Sequence, residues 1–555
     1  MSVVENGSSA PGGELLSVED LRITYRGRRG TTVAVDGVSF GLGAGEALAL
    51  VGESGSGKSS IARAVLGLLG GRAEVSGRVL FASDDLDGRG ADLLTLPPAR
   101  ARRLRGRDIA YIPQDPGGSL DPLRCVIDQV IEPLRHHRLG DPSEHRDRAL
   151  RALREAGLDE PERLAARWPH ELSGGQRQRV LIATAIVAEP RLIIADEPTS
   201  ALDVTVQRRI LDRLQQLTRS HGTALLLITH DLAVAADRTD TTVALRRGQV
   251  ADHGPSRTLL VAPEHPYTRA LVEAIPGRSR VLAAIDPPEP EADEPPVIEV
   301  RGVEKTFGHR RDPVRALRPL DLDVRPGDSI GIVGESGSGK TTLARVILGL
   351  TSPDAGSARI DGRPVSRGDR RIRRLVQPVF QNPHSSFDPA RSVGWSVLEP
   401  VRALAPRPRA ARRELLATLL ADVGLDHELG ARRPDELSGG QLQRAAIARA
   451  LAVSPRVLVC DEAVSALDVT VQAQILSLLS RLQAEHGLAL VFITHDLGVL
   501  RELCREVLVM REGAVVERGR TAEVLERPAH EYTRELIAAI PGRTVGPEGA
   551  PVDTL

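Results

Sequence analysis

Lysine is almost missing from this chain. Of its 73 basic residues only Lys58, Lys305 and Lys340 are lysines, and the rest are arginines. Cysteine is equally rare. Cys125, Cys460 and Cys504 show no CxxC or zinc-type spacing, so neither a disulfide framework nor a zinc site is indicated, and a reducing compartment fits. Aromatic residues make up 2%. No apolar run approaches the ~20 residues needed to cross a bilayer, so the chain is not expected to span a membrane. The opening segment, MSVVENGSSAPGGE, is acidic and lacks an apolar core, so no signal peptide is expected. A net charge of −1 leaves no global field to attract nucleic acid or anionic lipid. What is present is ordinary: 41% hydrophobic and 26% charged residues over 555 positions fit a soluble globular protein of two or more domains.

Two of the three lysines occupy the same place in the same motif, GESGSGKS (Gly52 to Ser59) and GESGSGKT (Gly334 to Thr341). Random placement among the basic positions would achieve this roughly once in 900 trials, whereas a compact ammonium in a tight loop can touch two phosphates where a planar guanidinium cannot. The pattern G-x-x-x-x-G-K-[ST] is the P-loop. Its successive backbone N–H groups form a concave anion site, and the N-terminus of the following helix adds its positive end. Two matches with identical interiors point to two nucleotide sites.

The chain is a duplication. LSGGQ (Leu172 to Gln176; Leu437 to Gln441), Asp-Glu (196–197; 461–462), SALDVTVQ (from Ser200 and Ser465) and ITHDL (from Ile228 and Ile493) all recur at an offset of 265 residues. HPYTRAL at His265 and HEYTREL at His530 keep that offset, but the P-loop lysines differ by 282, so the first copy is longer between P-loop and LSGGQ. A period this long means duplicated domains rather than a solenoid. We expect domains over 1–285 and 297–555, joined by DPPEPEADEPP (286–296), an extended Pro/acidic linker. In each half, apolar runs ending in the P-loop, in LIIADE or VLVCDE, and in ALLLITH or ALVFITH read as buried parallel strands. Helical patterns fill the stretch between P-loop and LSGGQ. The expected fold class is α/β: a P-loop core with an inserted, mostly helical region, twice.

This ordered set of motifs resembles the nucleotide-binding domains of ABC transporters, over nearly the whole chain and twice, and LSGGQ is that family's own signature. The resemblance implies ATP and Mg²⁺ as ligands and ATP hydrolysis as the activity. It implies that Gly52, Glu53, Ser54, Gly55, Ser56, Gly57, Lys58, Ser59 and Ser60 wrap the phosphates in one site. Gly334, Glu335, Ser336, Gly337, Ser338, Gly339, Lys340, Thr341 and Thr342 do so in the other. Ser59, Gln114 and Asp196, and Thr341, Gln381 and Asp461, are implied as the Mg²⁺ ligands. Glu197 and Glu462 are implied to polarise the attacking water, and His230 and His495 to contact the γ-phosphate, with Gln114 and Gln381 sensing the membrane partner. Tyr25 and Phe307 resemble the aromatic that stacks on adenine. Ser173, Gly174, Gly175 and Gln176, with Ser438, Gly439, Gly440 and Gln441, are the signature residues. In the family each ATP lies between one P-loop and the partner's signature, so the resemblance implies intramolecular head-to-tail pairing: Lys58 with Ser438, and Lys340 with Ser173.

QDPGGSLDPL, QNPHSSFDPA and the two tails HPYTRALVEAIPG and HEYTRELIAAIPG resemble the dipeptide/oligopeptide importer ATPases, a group that includes nickel and glutathione carriers. That resemblance implies two integral-membrane permease partners, a solute-binding protein acting through the complex, and a peripheral place on the cytoplasmic face of the membrane. The rival is a soluble twin ATPase of translation or DNA repair. Such proteins carry basic linkers, metal-binding cysteines or coiled coils, whereas here the linker is acidic and cysteines are few. The Arg-rich stretches 98–107 and 367–375 read as solvated or subunit-facing surface, and no nucleic acid is expected.

Overall fold

The computed structural model describes residues 14–27, 30–83, 91–199, 202–275, 294–308, 313–465, 467–541, 544–545 and 551–552. They fall into two compact units. One comprises the residues up to Val272, apart from Asp203–Thr205; the other comprises those three with everything from Glu273 onward. Most of the expected linker, 286–293, lies outside the described residues.

The first unit is built on a six-stranded sheet. Its order runs Gln249–Pro255, Thr241–Arg246, Ala47–Val51, Ala224–Thr229, Leu192–Asp196, Ile109–Ile112, all parallel except the first pair. The three central strands are buried along their whole length, which is why they read as unbroken apolar runs. Alternate residues still go to opposite faces. Leu192 and Ile194 join the cluster that holds the P-loop helix Lys58–Val65, while Ile193 and Ala195 join the cluster of the helical region. A four-stranded antiparallel sheet, ordered Gly30–Gly43, Glu14–Gly27, Ala73–Phe81, Ala91–Asp92, packs into the former cluster.

The second unit repeats this plan. Its large sheet is ordered Val376–Val379, Val457–Asp461, Ala489–Ile493, Ser329–Val333, Glu506–Arg511, Ala514–Arg520, and its antiparallel sheet is Val314–Val324, Ile298–Phe307, Ala355–Ile360, Arg363–Pro364. The helical inserts are Val126–His137, His145–Glu155 and Pro161–Ala165 in one unit, and Val393–Val397, Glu399–Leu404 and Arg409–Asp422 in the other.

One expectation needs correcting. The stretch between P-loop and LSGGQ is not helical throughout. In the first unit it contributes strands to both sheets, Ala73–Phe81, Ala91–Asp92 and Ile109–Ile112, before the helices begin. The Arg-rich stretches form the short helices Pro98–Leu104 and Arg370–Leu375, each held by one buried apolar residue, Leu104 or Ile372. Among the described residues no helix is long and apolar enough to cross a membrane.

Two candidate nucleotide sites

Each P-loop is the turn between the central strand of its sheet and the next helix. Its last glycine is indispensable. Gly57 and Gly339 take φ of 105°, and a Cβ on either would lie 2.5 Å from a carbonyl oxygen, that of Ala34 or of Ala316. The following lysine is folded into the loop. Lys58 Nζ donates to the carbonyls of Gly52 (2.6 Å) and Glu53 (2.9 Å), and Lys340 Nζ to those of Gly334 (2.6 Å) and Glu335 (2.8 Å). Both lysines are 6% exposed. An ammonium buried among carbonyls at the mouth of a nest of N–H groups is poised for phosphate oxygens.

The acidic pair comes from the strand two places over. Asp196 is its last residue, and Glu197 follows with φ of 46°; Glu462, after Asp461, has φ of 49°. This left-handed turn, costly for a residue other than glycine, sends the two adjacent carboxylates to different partners. Asp196 faces the P-loop helix: Ser59 Oγ donates to its Oδ1 at 3.4 Å, and Tyr111 OH to its Oδ2 at 3.2 Å. Glu197 faces a glutamine and a histidine. Gln114 Nε2 donates to its Oε2 at 2.8 Å, and His230 Nδ1 stands 3.3 Å from Oε1. The second unit repeats this trio, with Gln381 Nε2 at 2.7 Å from Glu462 Oε2 and His495 Nδ1 at 3.6 Å from Oε1.

Electrostatics separate the two acids. Burial raises the Asp196 carboxyl above its ordinary value, against the hydrogen bond from Ser59, and the adjacent Glu197 charge adds to the rise. Burial pushes Glu197 the same way but is overcome by the His230 hydrogen bond and charge, with Lys58 and Gln114 helping, so it stays ionised below the usual range. His230, disfavoured as a cation by burial, is raised by Glu197. Asp461, Glu462 and His495 shift in the same directions.

The signature residues open helices Gly174–Ile186 and Gly439–Leu451 with matching caps. Ser173 Oγ accepts from Gln176 N–H (3.3 Å) while Gln176 Oε1 accepts from Ser173 N–H (3.0 Å), and Ser438 and Gln441 do the same at the same distances. The capping serines themselves are exposed. Gly440 fits tightly, since a Cβ there would meet Val471 Cγ1 at 2.6 Å. Tyr25 OH donates to Ser60 Oγ at 3.3 Å, which puts that ring beside the P-loop helix. Phe307, its counterpart, is exposed, with Lys305 Nζ 5.5 Å from its ring centre.

The ABC transporter family model matches residues 35–200 and 317–465. This chain belongs to the ABC transporter family. The protein binds ATP and is an ATPase. The model for the oligopeptide/dipeptide transporter C-terminal region matches 253–308 and 516–548. Among curated relatives, the peptidoglycan transport ATP-binding protein YejF of Agrobacterium fabrum is 43% identical over 541 residues, covering 95% of this chain and 96% of the relative. The glutathione import ATP-binding protein GsiA of Escherichia coli K12 is 39% identical over 564 residues, 95% and 90% of the two chains. GsiA of Pectobacterium atrosepticum is 37% identical over 577 residues, 98% and 92%.

The cassettes differ at the aspartate. Tyr111 holds Asp196, but the matching position in the second cassette is Pro378, and among the described residues no hydrogen bond to the Asp461 carboxylate is made. The change of Pro198-Thr199 to Ala463-Val464 is silent by comparison. All four residues are buried, and the backbone turn is kept: Leu202 N–H bonds Thr199 O at 3.1 Å, and Leu467 N–H bonds Val464 O at 3.2 Å. Tyr111 was not foreseen from sequence, and neither were Tyr267 and Tyr532, which reach the P-loops from the C-terminal motifs.

The Glu–His pairs set a pH signature. A raised histidine stabilises the fold fully below its ordinary 6.5 and loses that contribution as pH rises through its raised value. A lowered glutamate stabilises above its ordinary 4.5 and loses that contribution as pH falls through its lowered value. The pairs therefore support the cassettes most between these two values. Replacing His230 and His495 with alanine should lower the melting temperature by about 2–4 °C near pH 6, and by less near pH 8. A deficit that grows with pH would contradict the pairing.

Proposed function

We propose that the chain energises import of peptides or closely related solutes through a separate pair of integral-membrane permeases. It sits on the cytoplasmic face of the membrane and receives cargo delivered by a solute-binding protein. One observation carries the catalytic part of this reading: the Gln114–Glu197–His230 trio recurs as Gln381–Glu462–His495. Glu197 and Glu462, ionised and oriented, polarise the water that attacks the γ-phosphate. His230 and His495 contact that phosphate from the ends of their strands. Gln114 and Gln381 tie the glutamates to the segments that face the permeases. Tyr25 and Phe307 stack on adenine.

The oxygen donors Ser59 Oγ, Asp196 and the Gln114 amide, with Thr341, Asp461 and Gln381 in the other site, suit Mg²⁺, a hard ion usually held by one or two carboxylates together with substrate phosphates. Bound there, Mg²⁺ would neutralise charge on the phosphates. The chain's part is to aim Asp196 by means of Ser59 and Tyr111. Pairing is head to tail within the chain: Lys58 shares one ATP with Ser438, and Lys340 the other with Ser173. The tether gives an effective concentration on the order of mM.

Cargo is the less direct step. Peptide-type import is favoured by the two C-terminal matches and by relatives named for glutathione import and peptidoglycan transport, which also weigh against the translation or repair alternative. Deleting the protein in its host should abolish uptake of short peptides, glutathione or nickel, measured with labelled solutes, and leave sugar and amino-acid uptake intact. A defect confined to sugars, or drug sensitivity from lost export, would refute it.

A further inference from the structure

The chain has four tyrosines, and every one makes a hydrogen bond at a nucleotide site. Two of them, Tyr267 and Tyr532, belong to the C-terminal HPYTR and HEYTR motifs, for which the hydrolytic chemistry has no use. Tyr267 is 4% exposed and Tyr532 1% exposed. The phenol oxygen of Tyr267 accepts from the N–H of Glu53 at 3.2 Å, and that of Tyr532 accepts from the N–H of Glu335 at 2.8 Å. Tyr267 also donates to the carbonyl of Leu245 at 3.3 Å, the same oxygen against which Gly52 packs so closely that a Cβ there would lie 2.3 Å away.

The residue that receives the phenol is the one that holds the lysine. The Glu53 carbonyl accepts from Lys58 Nζ (2.9 Å) and from Ser56 N–H (3.1 Å); the Glu335 carbonyl accepts from Lys340 Nζ (2.8 Å) and from Ser338 N–H (3.1 Å). Tyrosine, second P-loop residue and phosphate-binding lysine thus form one hydrogen-bonded line in each cassette.

The rest of the motif holds the tyrosine in place. His265 Nδ1 and His530 Nδ1 each accept the tyrosine's own N–H at 3.1 Å, at the start of helices Pro266–Glu273 and Glu531–Ala538. Thr268 Oγ1 ties the first helix to Asp252 at 2.7 Å, while Glu517 accepts from the Ala529 and His530 N–H groups before the second. Arg246 and Arg511 stand over the two rings at 5.1 and 4.8 Å. Burial pushes the Tyr532 phenol up to about 12, so it remains a neutral donor and acceptor at any working pH.

We propose that Tyr267 and Tyr532 are positioning residues of the ATPase: each phenol braces the second residue of its P-loop from the C-terminal helix, and so fixes the lysine and sets the affinity for ATP. This rests on the P-loops being the ATP sites. The rings are buried core side chains, as are Leu271 and Leu536, both 1% exposed, so phenylalanine keeps the packing and removes only the hydroxyl to which the proposal assigns the function.

The test uses the full chain with Tyr267→Phe and Tyr532→Phe combined, which keeps the rings. Removing the acceptor of a partly buried N–H should raise KM for ATP, and the Kd for a fluorescent ATP analogue, about fivefold or more, with kcat changed less than about twofold. Exchange of the P-loop amides should quicken. Thr218→Val, which removes a buried helix hydrogen bond (Thr218 Oγ1 to the Leu214 carbonyl, 3.0 Å) outside both C-terminal motifs, is expected to leave the affinity near wild type; an equal loss in that variant would show general softening and overturn the proposal. Lys58→Ala with Lys340→Ala serves as the control. If it abolishes nucleotide binding while the Phe variant binds normally, the brace is wrong and the ATP sites stand. If the control itself binds normally, the assignment of the ATP sites fails.

Discussion

A chain carrying both Glu197→Gln and Glu462→Gln should hydrolyse ATP at least about a hundredfold more slowly while still binding it. Glutamine keeps the size of each side chain and an oxygen for Gln114 or Gln381 to donate to. It cannot take a proton from water, and it cancels the charge that holds His230 and His495 above their ordinary values. The lysines, serines and P-loop amides proposed to grip the phosphates are untouched, so nucleotide should accumulate uncleaved. The measurement is ATP retained through gel filtration in Mg²⁺, together with a smaller radius of gyration in solution as the two cassettes stay closed on it. Both substitutions are needed, because a single one leaves one intact trio. Rapid turnover by the double variant would remove these glutamates from the chemistry.

The members of the glutamate trios were picked out by their resemblance to the ABC family's motifs, and each also ends or follows an apolar run. A buried parallel strand needs such a run, and the chain must leave it at the edge where ligands bind. The P-loops were visible for a related reason: only glycine allows the φ of 105° at Gly57 and Gly339. Strands such as AEVSGRVLF (Ala73–Phe81) were harder to see. Their burial alternates, their partner Glu14–Gly27 lies far upstream, and they precede a genuinely helical stretch. The tyrosine contacts span still greater distances: Glu53 and Tyr267 are 214 residues apart, and Glu335 and Tyr532 are 197 apart. No local pattern encodes them. A signal did exist, however. Scarcity marked the P-loop lysines, and the same reasoning applied to four tyrosines among 555 residues would have pointed to Tyr111, Tyr267 and Tyr532 as well.

Head-to-tail pairing makes a prediction that no arrangement of independent cassettes shares. Lys58→Ala disables one ATP site and should remove most transport, since two coupled sites drive the cycle, while leaving some ATPase activity. If Lys58 and Ser438 serve the same ATP, adding Ser438→Arg damages a site already lost, and the residual ATPase should stay within about twofold of the single variant. Adding Ser173→Arg instead damages the surviving site, shared by Lys340 and Ser173, and the ATPase should fall to background, about a hundredfold or more below wild type. The choice of serine is apt because Ser173 and Ser438 cap their helices identically, so both arginines carry the same local cost in stability. The contrast between the two double variants therefore reports the wiring of the sites and not damage to a helix. Pairing within each cassette would reverse the two outcomes: Lys58→Ala with Ser173→Arg would keep the residual activity, and Lys58→Ala with Ser438→Arg would lose it.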